Sequence, residues 1–110
     1  MLTQPTGDAP ALTREDVKRG LETGSIALVD VREPDEFAKA RIPGSTSHPL
    51  SSFDPHALPG DGRRIVFTCS AGVRSQHAAH AAQAAGVGDV AHYQGGIQDW
   101  TMAGEPVETA

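Results

Sequence analysis

Two short, almost wholly apolar runs constrain this chain most. They are Ile26-Ala27-Leu28-Val29-Asp30-Val31 and Arg64-Ile65-Val66-Phe67-Thr68. Neither alternates polar with apolar residues, and neither is long enough for a buried helix. Such runs read as strands buried on both faces, the mark of a parallel sheet covered by helices. Helical stretches separate them. Thr13 caps a helix that Asp16 answers three residues on, with Leu12, Val17 and Leu21 on one face and Gly24 as its stop. Pro34 suits the first turn of a short helix from Glu33 to Lys39. An alanine-rich helix runs from Ser75 to Ala85, and Gly86 takes its left-handed stop. Weaker signals place a short strand within Ser45–Leu50, a loop or short helix from Ser51 to Gly62, a strand at Asp89–Tyr93 and a last helix at Ile97–Met102. Strands alternating with helices give an α/β fold with a mainly parallel sheet.

A chain of 110 residues is one ordinary domain. We expect it to occupy residues 12–107, with flexible segments at 1–11 and 108–110, where polar residues, Pro and Gly collect. The net charge of -5 argues against nucleic acid as a partner, because phosphate binding needs a basic face. The lone cysteine, Cys69, excludes an internal disulfide and a multi-cysteine zinc site. No run is long and apolar enough to span a bilayer, and the first residues carry no signal-peptide pattern. A cytoplasmic protein is the expectation, without a membrane partner. Nothing in the sequence asks for a cofactor or a metal.

Cys69 stands at the carboxyl end of the second strong strand, where open α/β sheets bind ligands. The segment Cys69-Ser70-Ala71-Gly72-Val73-Arg74-Ser75 turns tightly into a helix start. Backbone N–H groups of such a turn converge on one point and make an anion nest. Gly72 permits the required backbone, and Arg74 brings a permanent cation. Together these features are expected to lower the thiol pKa and to bind an anionic substrate at the same atom. A lone cysteine is otherwise most often a buried, inert thiol.

The same residues resemble the active-site loop of rhodanese-type sulfurtransferases, Cys-x-x-Gly-x-Arg-Ser. Leu28-Val29-Asp30-Val31-Arg32-Glu33-Pro34-Asp35-Glu36-Phe37 is similar to that family's first signature. Ile42-Pro43-Gly44 resembles its turn, and Gly95-Gly96-Ile97-Gln98-Asp99-Trp100 its closing Gly-Gly-x-x-x-Trp segment. The matches fall in order over nearly the whole chain. Arg41, Ser45, Ser47 and His48 depart from the family pattern, which bears on substrate access or packing. The resemblance implies a rhodanese-like three-layer fold, a central sheet of about five strands between helices. It implies a ping-pong reaction in which Cys69 takes sulfane sulfur from thiosulfate, a persulfide or a polysulfide, becomes a persulfide, and passes the sulfur to a thiol or cyanide. A sulfur-accepting protein is a further partner on this reading.

Ser70, Ala71, Gly72, Val73, Arg74 and Ser75 are then the substrate-binding residues. Asp30 and Arg32 read as a strand-end ion pair that supports the loop, and Trp100 as a core or pocket-wall aromatic. His77 and His80 have metal-compatible spacing but no evident further ligand, so they read as polar residues on the alanine helix. His92 reads as a half-buried strand residue, and Arg63-Arg64 as solvated surface. Two other functions compete. One is a persulfide carrier or regulatory module for a partner protein. The other is a phosphatase or arsenate reductase of the related cysteine-loop type, whose loop holds five residues between Cys and Arg. Here there are four, Ser70 to Val73.

Overall fold

Five strands, Ala11–Leu12 (β1), Ile26–Asp30 (β2), Thr46–Ser47 (β3), Arg64–Thr68 (β4) and Val90–Tyr93 (β5), form one sheet in the computed structural model. The structure describes residues 9–59 and 61–109. The strand order is β1-β5-β4-β2-β3, and every pairing is parallel. All five carboxyl ends therefore lie along one rim. β4 is the central strand, so Cys69 follows the middle of that rim.

The apolar runs behave as their pattern requires. β2 is buried at every position, and β4 from Ile65 onward. Alternate residues feed two cores. Val29, Val31, Ile65, Phe67 and Val90 pack with Ala78, Ala79 and Ala82 of helix α3 (Val73–Ala84). Ile26, Leu28, Val66, Ala91 and Tyr93 pack on the other face with Val17 of α1 (Arg14–Thr23) and with Ile97 and Trp100 of α4 (Gly96–Met102). Alanine suits α3 because small side chains let the helix lie close on the sheet. α2 (Pro34–Lys39) buries no residue. No helix among the described residues is long and apolar enough to cross a membrane.

The structure corrects several boundaries. β1 was not foreseen, since two residues show no periodicity. The expected strand at 45–50 shrinks to Thr46–Ser47. Pro49 has no N–H for the ladder, and the chain turns into short 3₁₀ segments at Leu50–Ser52 and Pro55–Ala57. α3 starts at Val73, two residues before the expected Ser75. Both ends of the described chain make contacts with the domain. Ala9 is buried and the Pro10 carbonyl accepts from His92 N at 3.0 Å. Glu108 bridges to Arg41 through two backbone bonds of 2.9 and 2.8 Å. Residues 1–8 and 110 lie outside the described residues.

Candidate active site

Cys69 is 1 % exposed. Its Sγ accepts the backbone N–H groups of Gly72 at 3.1 Å and Ser75 at 3.3 Å. Burial pushes the thiol up. The N–H and hydroxyl of Ser75 and the N–H groups of Gly72 and Ala71 outweigh it, and the thiol rests below its ordinary value. A thiolate is what such converging dipoles favour. The expected nest is therefore present, but it spans a turn and a helix start. Val73, Arg74 and Ser75 already belong to the first turn of α3.

A nest needs its carbonyls turned away from the anion, and α4 supplies the means. Ile97 N donates to Cys69 O at 2.9 Å, and Gln98 N donates to Ser70 O at 3.1 Å. Two glycines make this seating feasible. Gly72 has φ 97°, and a Cβ there would stand 2.4 Å from Gln94 O. Gly96 has φ 65°, and a Cβ there would stand 2.4 Å from Ser70 O and 2.5 Å from Cys69 O. Both obstacles are backbone, which cannot swing aside. Gly96→Ala is expected to cost about 2–4 kcal/mol, from left-handed strain plus overpacking. Urea unfolding checks the stability, and ultraviolet thiolate absorbance of Cys69 against pH checks whether the loop has shifted.

The structure gives Arg74 a partner that the sequence did not show. Its guanidinium does not stand open at the mouth. It grips Glu36 of α2 with two bonds, Nη1–Oε1 at 2.7 Å and Nη2–Oε2 at 3.1 Å, and also donates to Ser70 Oγ at 3.1 Å. The pair ties the loop to α2, and its charges cancel. Glu36 was not singled out from the sequence, although its own signal was there. It closes a capping box by accepting Glu33 N at 2.9 Å.

The Arg74 hydrogen bond holds the Glu36 carboxyl down to about 2, against burial. A depressed carboxylate stabilises the fold fully above its unfolded value near 4.5 and loses that contribution as pH falls toward 2. Both side chains are about a third exposed, so screening limits the pair to about 0.5–1 kcal/mol. Glu36→Gln should therefore be less stable than the parent at pH 7. Denaturant midpoints of the two proteins should converge as pH approaches 2.

Asp30 and Arg32 form a buried pair, Nη2–Oδ2 at 2.7 Å, with side chains 2 % and 6 % exposed. Arg32 Nε reaches both carboxylate oxygens, and its backbone N–H reaches Oδ1 at 2.9 Å. The same guanidinium donates to Ala40 O at 2.7 Å and to Glu36 O at 3.4 Å. The pair thus anchors α2 at the rim. Trp100 lies in the other core, 4 % exposed, with Nε1 donating to Pro106 O at 2.7 Å. It holds α4, and α4 holds the loop carbonyls. Ala71 and Val73 are the loop's exposed residues, Val73 at 64 %.

His92 is the residue whose place the sequence did not reveal. It is 5 % exposed, and its Nδ1 lies 3.1 Å from Ser75 Oγ. Folding sets it opposite Phe67, two residues before Cys69, and no local pattern signals that register.

A family model described as Rhodanese-like domain matches residues 13–103. An uncharacterised Synechocystis protein is 40% identical over 83 residues, covering 74% of this chain and 46% of its own. The thiosulfate:glutathione sulfurtransferase of Saccharomyces cerevisiae is 32% identical over 106 residues, covering 82% and 76% respectively. A solved structure from Rhodopseudomonas palustris, described as a protein of unknown function and possible tyrosine phosphatase, superposes with a TM-score of 0.77 at 32% identity, over 91% of this chain and 85% of that one. The chain spans less than half the length of the first curated relatives it matches. A five-stranded parallel sheet, a cysteine loop seated on its central rim and a family match over most of the length lead to one conclusion: the chain belongs to the rhodanese-like domain family, among whose members are sulfurtransferases.

Proposed function

We propose that this domain transfers sulfane sulfur through a persulfide on Cys69. The observation that carries the reading is the convergence of the Gly72 and Ser75 N–H groups on Sγ. In the first half-reaction the Cys69 thiolate attacks the outer sulfur of thiosulfate, or of a persulfide or polysulfide. The donor's S–S bond breaks, and sulfite or a thiolate leaves with the bonding pair. In the second, an acceptor thiolate or cyanide attacks the new outer sulfur, and Cys69 departs as thiolate. Electrons balance within each exchange, so the chemistry asks nothing of a cofactor. Cys69 is the nucleophile. The N–H groups of Ala71, Gly72 and Ser75 hold the anion, while Ser70, Val73 and Arg74 shape and brace the mouth. Asp30, Arg32 and Trp100 support the frame.

Intact mass spectrometry after treatment with thiosulfate or glutathione persulfide tests this. One added sulfur atom on Cys69, removable by a thiol or cyanide, is the expected result. No adduct with any donor overturns it. An adduct that small acceptors discharge only slowly favours a carrier serving a partner protein.

The description of the Rhodopseudomonas structure favours a second reading, phosphoryl transfer. Only four residues, Ser70 to Val73, separate Cys69 from Arg74. A nest acts through donors about 3 Å from the charged atom, and this ring closes at that distance around sulfur itself. Aryl phosphate hydrolysis at rates comparable to sulfur transfer would reverse the choice.

A further inference from the structure

The nucleophile's hydrogen-bond shell extends one residue beyond the loop. Ser75 Oγ donates to Gly72 O at 3.2 Å and lies 3.1 Å from His92 Nδ1, while its backbone N–H meets Cys69 Sγ and its hydroxyl is among the groups that lower the thiol. Where the hydroxyl hydrogen goes decides how much negative charge Sγ can hold. If His92 Nδ1 is bare, it competes for the hydrogen. If Nδ1 carries a hydrogen, the ring donates to Ser75 Oγ, ceases to compete and occupies one of the hydroxyl's lone pairs. The remaining contest is between a neutral carbonyl and a thiolate. A hydrogen bond to a charged acceptor is roughly twice as strong as a neutral one, so the hydroxyl turns to sulfur.

We propose that His92 is a positioning residue for the nucleophile: its Nδ1–H donates to Ser75 Oγ and directs the hydroxyl hydrogen at Cys69 Sγ. Both side chains are buried: Ser75 is 0 % exposed and His92 5 %. The His92 backbone is fixed on both sides, by Phe67 of β4 and by Ala11 of β1, and its N–H donates to Pro10 O. The titratable group that bears on the ring among the described residues is His80 from α3. Gln76 and Gln94 beside it are neutral. Burial, and then His80, keep the ring neutral at ordinary pH, so one ring nitrogen carries hydrogen and the other does not. Ser75 and a thiolate beyond it select Nδ1 as the carrier.

The inference rests on Cys69 being the nucleophile, but its test does not use sulfur transfer. The chain has one cysteine, so ultraviolet thiolate absorbance against pH reports Cys69 alone among thiols. His92→Phe removes the donor and should raise the thiolate midpoint by about one pH unit, a tenfold fall in thiolate fraction well below it. His92→Asn, whose amide can donate at the same place, should hold the midpoint near that of the parent. In a Ser75→Ala background the His92→Phe change should add little, because the two act through one hydroxyl. A folded His92→Phe protein with an unmoved midpoint overturns the proposal. Nitrogen NMR of the unaltered protein decides it independently of any variant's folding. Hydrogen on Nδ1 in the thiolate form is expected, and a bare Nδ1 overturns it. A protein that shows the midpoint shift yet forms no persulfide would refute the proposed function and leave the positioning role standing.

Discussion

Replacing Cys69 with serine is expected to abolish sulfur transfer, by roughly a thousandfold or more, as removal of a nucleophile does elsewhere. The physical reason is ionisation. The loop lowers a thiol already near the range where thiolate forms, and a hydroxyl starts far above that range. No strong base stands beside Sγ to make up the difference, since burial and His80 lower His92 as a proton acceptor. The fold should tolerate the change. The N–H groups of Gly72 and Ser75 that meet Sγ would meet a hydroxyl oxygen instead. A thiosulfate:cyanide assay with a parallel melting curve checks both statements. Activity within tenfold of the parent, in a protein free of parent contamination, would remove Cys69 from its role.

Asp30→Ala should carry the largest stability cost, about 3–5 kcal/mol, because it leaves the Arg32 charge buried without its partner. The carboxylate accepts from Arg32 Nε, Nη2 and backbone N–H at once; without it Nε and the backbone N–H lose their acceptor, and Nη2 keeps only Ala40 O. The loss should spread outward. Arg32 holds the Ala40 and Glu36 carbonyls, and Glu36 holds Arg74. A released α2 therefore unpins the cysteine loop from one side. Replacing both residues, Asp30→Leu with Arg32→Met, should recover much of the stability, since no charge is left stranded. It should not recover the brace, so transfer activity should stay low in a protein that folds. Denaturant midpoints for the three proteins test the order. A single-variant loss below about 1 kcal/mol would mean the pair only decorates the rim.

How much of this was legible depended on whether the signal was local. β2 and β4 were plain because burial on both faces leaves a continuous apolar run. The Thr13–Asp16 capping box was plain because both partners sit within one turn. Cys69 stood out because a strand end, a glycine and a helix start adjoin it in sequence. Arg74 was visible, but its partner was not. Glu36 lies 38 residues away, and only folding shows that the cation is spent on it. The same holds for His92, which reaches Ser75 across 17 residues. β1 was invisible because two residues carry no period, and its pairing with β5 is a tertiary event. The Gly-Gly-x-x-x-Trp segment was recognisable as a pattern. Its reason, two N–H groups aimed at the carbonyls of Cys69 and Ser70, was not.

A sheet whose strands all run the same way has two unequal rims. At the carboxyl rim, Gly72 and Gly96 admit no side chain, because backbone stands where a Cβ would go. At the opposite rim, Gly24, Gly62, Gly86 and Gly88 enter β2, β4 and β5, and a Cβ at any of them meets open space. Gly88 alone of these lacks a left-handed backbone, so a Cβ fits there without the strain the others would incur. A lysine or a bio-orthogonal handle there would tether the domain to an electrode or resin with the rim that carries Cys69 turned away from the support. The geometry therefore turns an accident of strand direction into a ready orientation for a surface-bound sensor.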